Sequence, residues 1–259
     1  MDIIKVKNES YARYEELLLR RDQLRKESRI EEGLYIKEFG DLMVEVFEKQ
    51  IACITKKKRI SYYQMALNRG EPINQTEIDR LIAQEMKAYQ EQLDQKIQEN
   101  ENAKKISEIT SRDYLKIKRI YHRIAKKLHP DINPKTSEIP ELMELWHHVV
   151  ADYNANSLKD IEADEILVNK ALEKIGIGNM EIEIPDIQDK IKRIEEEITH
   201  IMETDPYQYK YLLEDPEAVT EQKKVLEDEK KTYEEYEKEL DDTIDGLLKN
   251  GVRIVWNMT

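Results

Sequence analysis

Val219, Leu226, Tyr233, Leu240 and Leu247 recur at strict intervals of seven, with Tyr236 and Ile244 nearby. Seven residues are close to two helical turns, so these side chains fall on one narrow stripe of an α-helix, the seam of a coiled coil. So narrow a stripe cannot hold a lone helix in water, and the segment needs a partner of similar length. Upstream, Ile187, Ile191, Ile194, Ile198 and Ile201 alternate spacings of four and three and make a second seam. Pro185 and Asp186 open this arm, while Thr204-Asp205-Pro206-Tyr207 and Glu214-Asp215-Pro216 interrupt it. The last helix could pair with the isoleucine helix, with an N-terminal hairpin or with a second copy of the chain. Gly251 to Met258 is β-prone and reads as a short strand or a capping tail.

The N-terminal hairpin follows from the same periodicity. Tyr11, Tyr14, Leu17, Leu18 and Leu24 make one stripe, and Tyr35, Phe39, Leu42, Val46, Cys53 and Ile54 continue it within residues 9–68. Gly33 or Gly40 is expected to mark a break or bend. Asn68 to Pro72 is a turn, after which Asn74 caps a new helix with Glu77 three residues on. Ile78, Leu81, Ile82, Met86, Tyr89, Leu93 and Ile97 line one face of it, so it should return along the preceding helix.

Charged residues make up 37% of the 259, with only seven Gly, seven Pro, two Phe and two Trp, which favours long exposed helices over a sheet protein. The expected fold is all-α. The net charge of −13 argues against a general nucleic-acid binder. That charge is uneven: Arg112 to Lys135 holds eight Lys/Arg and two Asp, whereas Glu214 to Asp245 holds fourteen acids and five lysines. Lys56-Lys57-Lys58-Arg59 reads as a solvated helix face near a helix end.

Cys53 is the only cysteine, which excludes an intramolecular disulfide. His147 and His148 are about 100° apart on a helix and cannot share one metal. Gly176-Ile177-Gly178 reads as a helix stop, and neither a phosphate-binding loop nor a nucleophile elbow occurs. Neither a catalytic residue, a cofactor nor a metal site is expected. MDIIKVKNES lacks the apolar run of a signal peptide and no segment reaches membrane-spanning length, so a cytoplasmic protein without membrane contact is expected.

The centre of the chain, Tyr114 to Tyr153, is the most specific stretch. Ile117, Ile120, Tyr121, Ile124 and Leu128 share one face of a helix whose remaining circumference carries Lys116, Lys118, Arg119, Arg123, Lys126 and Lys127. Pro130 ends that helix and Asn133-Pro134 adds a turn. Pro140 opens the next helix, with Leu142, Leu145, Trp146, Val149 and Tyr153 on its buried stripe. The two helices should pair antiparallel around a loop bearing His129-Pro130-Asp131. Asn154 to Ser157 then breaks the chain, Ser157 and Asp160 form a capping box, and Leu158, Ile161, Val168, Leu172 and Ile175 line a helix that could cover the pair.

Tyr121, Ile124, Ala125, Lys127, His129, Pro130, Asp131, Asn133 and Pro134 resemble the second helix and signature loop of the J-domain (DnaJ-like) co-chaperone family. Trp146, Val149 and Tyr153 resemble its third helix, where Asp152 replaces a small residue. The resemblance covers residues 112–155. The family's first helix is missing or replaced by the end of an upstream helix.

The resemblance implies a regulator of a partner ATPase, itself not an enzyme. The basic helix and tripeptide would dock on a DnaK-type heat-shock chaperone and stimulate its ATP hydrolysis. Arg119, Arg123, Lys126 and Lys127 would steer the encounter, His129 and Asp131 would supply hydrogen bonds, and Pro130 would fix the loop. Three consecutive parts are expected: a long-helix hairpin at 1–110, a J-like domain at 111–180 and a coiled-coil arm at 181–259. The arms would contact an unfolded or specific protein client, fix location or form a homodimer. The alternative is a coiled-coil scaffold whose J-like module is an assembly device.

Overall fold

The computed structural model describes residues 2–105, 109–175, 186–249 and 254–255. Among them are nine helices: α1 (Asp2–Arg69), α2 (Gln75–Lys104), α3 (Ser111–Leu128), α4 (Lys135–Glu138), α5 (Pro140–Asn154), α6 (Leu158–Ile175), α7 (Ile187–Glu203), α8 (Tyr209–Leu213) and α9 (Pro216–Lys249). Two short strands, β1 (Ile73–Asn74) and β2 (Ile254–Val255), pair in parallel with Ile73 opposite Ile254. The fold is all-α. No described helix is long and apolar enough to cross a membrane.

Contacts gather the chain into two units, Met1–Glu31 with Ser107–Gln208, and Glu32–Ile106 with Tyr209–Thr259. These units do not follow the expected cuts at 110 and 180. The reason is α1, which runs without a break and supplies its first part to one unit and its second part to the other. The two seam helices are divided in the same way, α7 to the first unit and α9 to the second.

Gly33 and Gly40 do not interrupt α1. Gly40 serves a close approach, because a Cβ there would lie 2.3 Å from Asn100 Oδ1 on α2. Asn100 is buried, and its amide donates to Asp41 at 2.7 Å. A glycine inside a helix costs about 1 kcal/mol relative to alanine, offset here by contact that no side chain would permit.

In the second unit, α2 returns antiparallel along α1: Tyr63 pairs with Gln75, Arg59 with Asp79 and Asp41 with Lys104. Asn74 caps α2 by accepting from the Glu77 N–H, as its spacing predicts. The α9 seam finds its partner in the N-terminal hairpin. Leu226 packs with Phe39 and Val46, and Lys223–Glu38, Lys230–Glu45, Lys49–Glu237 and Lys56–Asp241 advance together along α1 and α9, so these two run parallel. The run Lys56 to Arg59 lies well inside α1, with Lys56, Lys58 and Arg59 meeting acids of α9 and α2. It is not the end of a helix.

In the first unit, the α3 stripe of Ile117, Ile120, Tyr121, Ile124 and Leu128 packs on Leu142, Trp146, Val149 and Tyr153 of α5. Ile161 and Val168 of α6 complete that core, as does Leu19 of α1. Thr110 caps α3 by accepting from the Asp113 N–H at 3.1 Å, Pro140 opens α5, and the Ser157 hydroxyl bonds Asp160 at the start of α6. A second cluster joins Tyr14, Leu17 and Leu18 of α1, Ile132 of the interhelix loop, and Ile191 and Ile194 of α7. The expected stop at Gly176 to Gly178, the opening at Pro185 and most of the β-prone tail lie outside the described residues.

Candidate functional site

The corner between α3 and α5 is fixed by its own backbone. Pro130 cannot continue a helix, and His129 leaves it in an extended conformation (φ −61°, ψ 125°) while its N–H still bonds the Ala125 carbonyl. The carbonyl of His129 then accepts from the N–H groups of Ile132 and Asn133, at 2.9 and 2.7 Å. The Asn133 side chain reaches back to the Lys127 carbonyl at 3.0 Å and satisfies one of the free acceptors at the end of α3. Asn133 is therefore a brace for the loop.

His129 is inside the unit, only 5% exposed, whereas direct contact with a partner was expected of it. Its ring meets Trp146 edge to face at 4.8 Å. Nδ1 accepts the Asp131 N–H at 3.0 Å, so that nitrogen carries no proton; the N–H is at Nε2, 3.4 Å from Asp22 Oδ2 of α1. The same Asp22 oxygen accepts the Tyr121 hydroxyl at 2.8 Å. Asp131 behaves differently: half of its side chain is exposed, and Arg21 approaches its carboxylate at 3.8 Å.

Asp22 is the hub that the sequence did not reveal. Burial alone would raise its pKa, but the His129 hydrogen bond, the adjacent Arg21 charge and the Tyr121 hydroxyl outweigh burial and hold it at about 2. Burial pushes the Tyr121 phenol in the opposite direction, far above its usual value, and Asp22 adds to the shift. One turn along α1, Lys26 is also buried. Its ammonium donates to the Tyr153 carbonyl at 2.5 Å and lies 3.8 Å over the Tyr153 ring, which itself stacks on Tyr121. A cation at the last turn of α5 suits the helix dipole, although burial, with Arg29 nearby, pushes Lys26 down to about 8.

The cations of α3 remain on its outer side. Arg119 is exposed and has no ion pair among the described residues. Arg123 makes a two-pronged bond to Glu165 of α6, at 2.6 and 2.8 Å, and Lys127 donates to Asn169 at 2.9 Å. Lys126 pairs with Glu15 of α1 at 2.7 Å. More than half of the Arg123 and Lys126 side chains is still exposed. Pairs of this kind contribute about 0 to 1 kcal/mol each and exchange readily.

Asp152 faces Asp164 of α6. Asp164 of α6 is buried with one carboxylate oxygen unpartnered, and burial followed by the neighbouring Asp152 pushes it up to about 6. It borders a cleft of about 390 Å³ between α5 and α6. His147 and His148 are both exposed. Among the described residues no group of three His, Cys, Asp or Glu could hold a metal ion.

The structure thus brings His129, Pro130, Asp131, Lys126 and Lys127 to one end of α3 and leaves Arg119 and Arg123 along its length. The missed residues are Glu15, Arg21, Asp22 and Lys26. A signal existed: Leu17, Leu18 and Leu19 in succession cover more of the helix circumference than one seam requires, so α1 had to be covered on more than one side. No family model, curated protein or solved structure matches the chain.

Proposed function

We propose that the chain is a J-domain-type co-chaperone that docks on a DnaK-type heat-shock chaperone and stimulates its ATP hydrolysis without hydrolysing ATP itself. One observation carries this reading: an exposed cationic face on α3 runs into a pinned His-Pro-Asp corner on an antiparallel helix pair. Arg119 is ready to meet an acidic surface, and the ion pairs of Arg123 and Lys126 are weak enough to be exchanged for one. Asp131 and the edge of Pro130 form the reachable part of the corner. His129 acts from within, holding the Asp131 N–H and the loop against Trp146, so its role is positioning and not contact.

The long helices of the second unit would supply the client or location contact. Single-turnover ATP hydrolysis by the chaperone, with and without the full chain, tests the reading. Stimulation that Asp131→Asn removes supports it, and failure of the wild type to stimulate refutes it.

The interlock of His129 and Tyr121 with Asp22 favours a second reading, a coiled-coil scaffold in which the J-like corner is an internal joint. That reading expects no chaperone binding and a large, stable self-assembly, visible by light scattering.

A further inference from the structure

We infer that residues 13–27 of α1 act as a built-in mask, a pseudo-ligand that occupies the corner and the flank of α3 which a chaperone would need. This rests on the co-chaperone reading and adds regulation to the same site. Two contacts fall on groups a partner would reach, Glu15 on Lys126 and Arg21 at Asp131, while Asp22 holds His129 and Tyr121 from within. Tyr14, Leu17 and Leu18 cover Ile132, the apolar residue directly after the tripeptide, which is fully buried.

Carboxylates at 15 and 22 are seven residues apart and share one face of α1, so a single acidic, apolar helix face meets both the cations and the loop. Arg13 and Arg25 pair with Glu195 and Glu197 of α7, which helps hold this face in place. A partner that takes Lys126 and closes fully on the corner therefore has to displace this face of α1, and its apparent affinity falls by the fraction of molecules in which α1 is lifted.

The test measures the concentration of full chain giving half-maximal stimulation of single-turnover ATP hydrolysis by a purified DnaK-type chaperone. Glu15→Lys, which repels Lys126, is expected to lower that concentration on the order of tenfold. Ser10 and Gln188 bond at 2.8 Å between α1 and α7, away from the cationic face. Ser10→Cys with Gln188→Cys, in a Cys53→Ala background and joined by a reducible bis-maleimide, is expected to raise it, and thiol reduction to restore it. The clamp decides the matter if Glu15→Lys fails to fold by circular dichroism. If the wild type stimulates and neither change moves the half-maximal concentration, the mask is wrong and the co-chaperone reading stands. If the wild type does not stimulate, the co-chaperone reading falls and the mask falls with it.

Discussion

The Asp22 carboxylate and the His129 imidazole N–H face each other across 3.4 Å, joining the first part of α1 to the tip of the α3–α5 corner. His129 is buried and Asp22 nearly so, and the Tyr121 hydroxyl bonds the same carboxylate oxygen. The corner is consequently a three-helix structure, because the group that orients its histidine comes from a segment far away in the sequence.

Asp22→Ala should destabilise the first unit by about 1 to 3 kcal/mol, since it leaves the Tyr121 hydroxyl and His129 Nε2 buried without their acceptor. The pH dependence has a defined sign. The folded pKa of Asp22, about 2, lies below the ordinary value of 3.8, so its contribution is present above pH 3.8 and is lost as pH falls towards 2. Urea melts from pH 5 down to pH 2 should show a loss of about 2 kcal/mol in the wild type that Asp22→Ala does not show.

Asp164 should behave in the reverse sense. Its folded pKa is raised to about 6, so stability is fully present below pH 3.8 and lost as pH rises through 6. Asp164→Asn is therefore expected to exceed the wild type by about 1 to 2 kcal/mol at pH 7.5 and to match it at pH 4, read by urea denaturation at the two values.

The sequence predicts the helices well where apolar periodicity, a cap and a proline coincide, as at Asn74, at Pro140 and at the Ser157–Asp160 pair. It identifies the cationic face of α3 because that face is written in consecutive residues. It misses Asp22, because a single acid in a charged helix looks like solvent-facing charge until the fold sets it beside His129. The orientation of His129 was illegible for the same reason: turn residues determine the loop but not what packs over it. At Gly40 the expected break does not form, because a glycine signals a break as readily as a close approach, and only Asn100 distinguishes them.

Gly40→Ala provides a test in the second unit. Alanine is the better helix former, yet its Cβ would meet Asn100 Oδ1 at 2.3 Å, and moving Asn100 would break its bond to Asp41. A net loss of about 1 to 3 kcal/mol is expected. Asn100→Ala, added to Gly40→Ala, should recover part of it in thermal melts, because the clash disappears.

The most direct measurement compares wild type with Arg119→Glu in single-turnover ATP hydrolysis by a DnaK-type chaperone. Arg119 is exposed and carries no ion pair among the described residues, so its reversal should leave the thermal melt unchanged. The wild type should accelerate hydrolysis by about tenfold or more, equivalent to ~1.4 kcal/mol off the barrier, and Arg119→Glu should lose most of that acceleration. No acceleration by the wild type, or equal acceleration by both proteins, would contradict a docking role for α3.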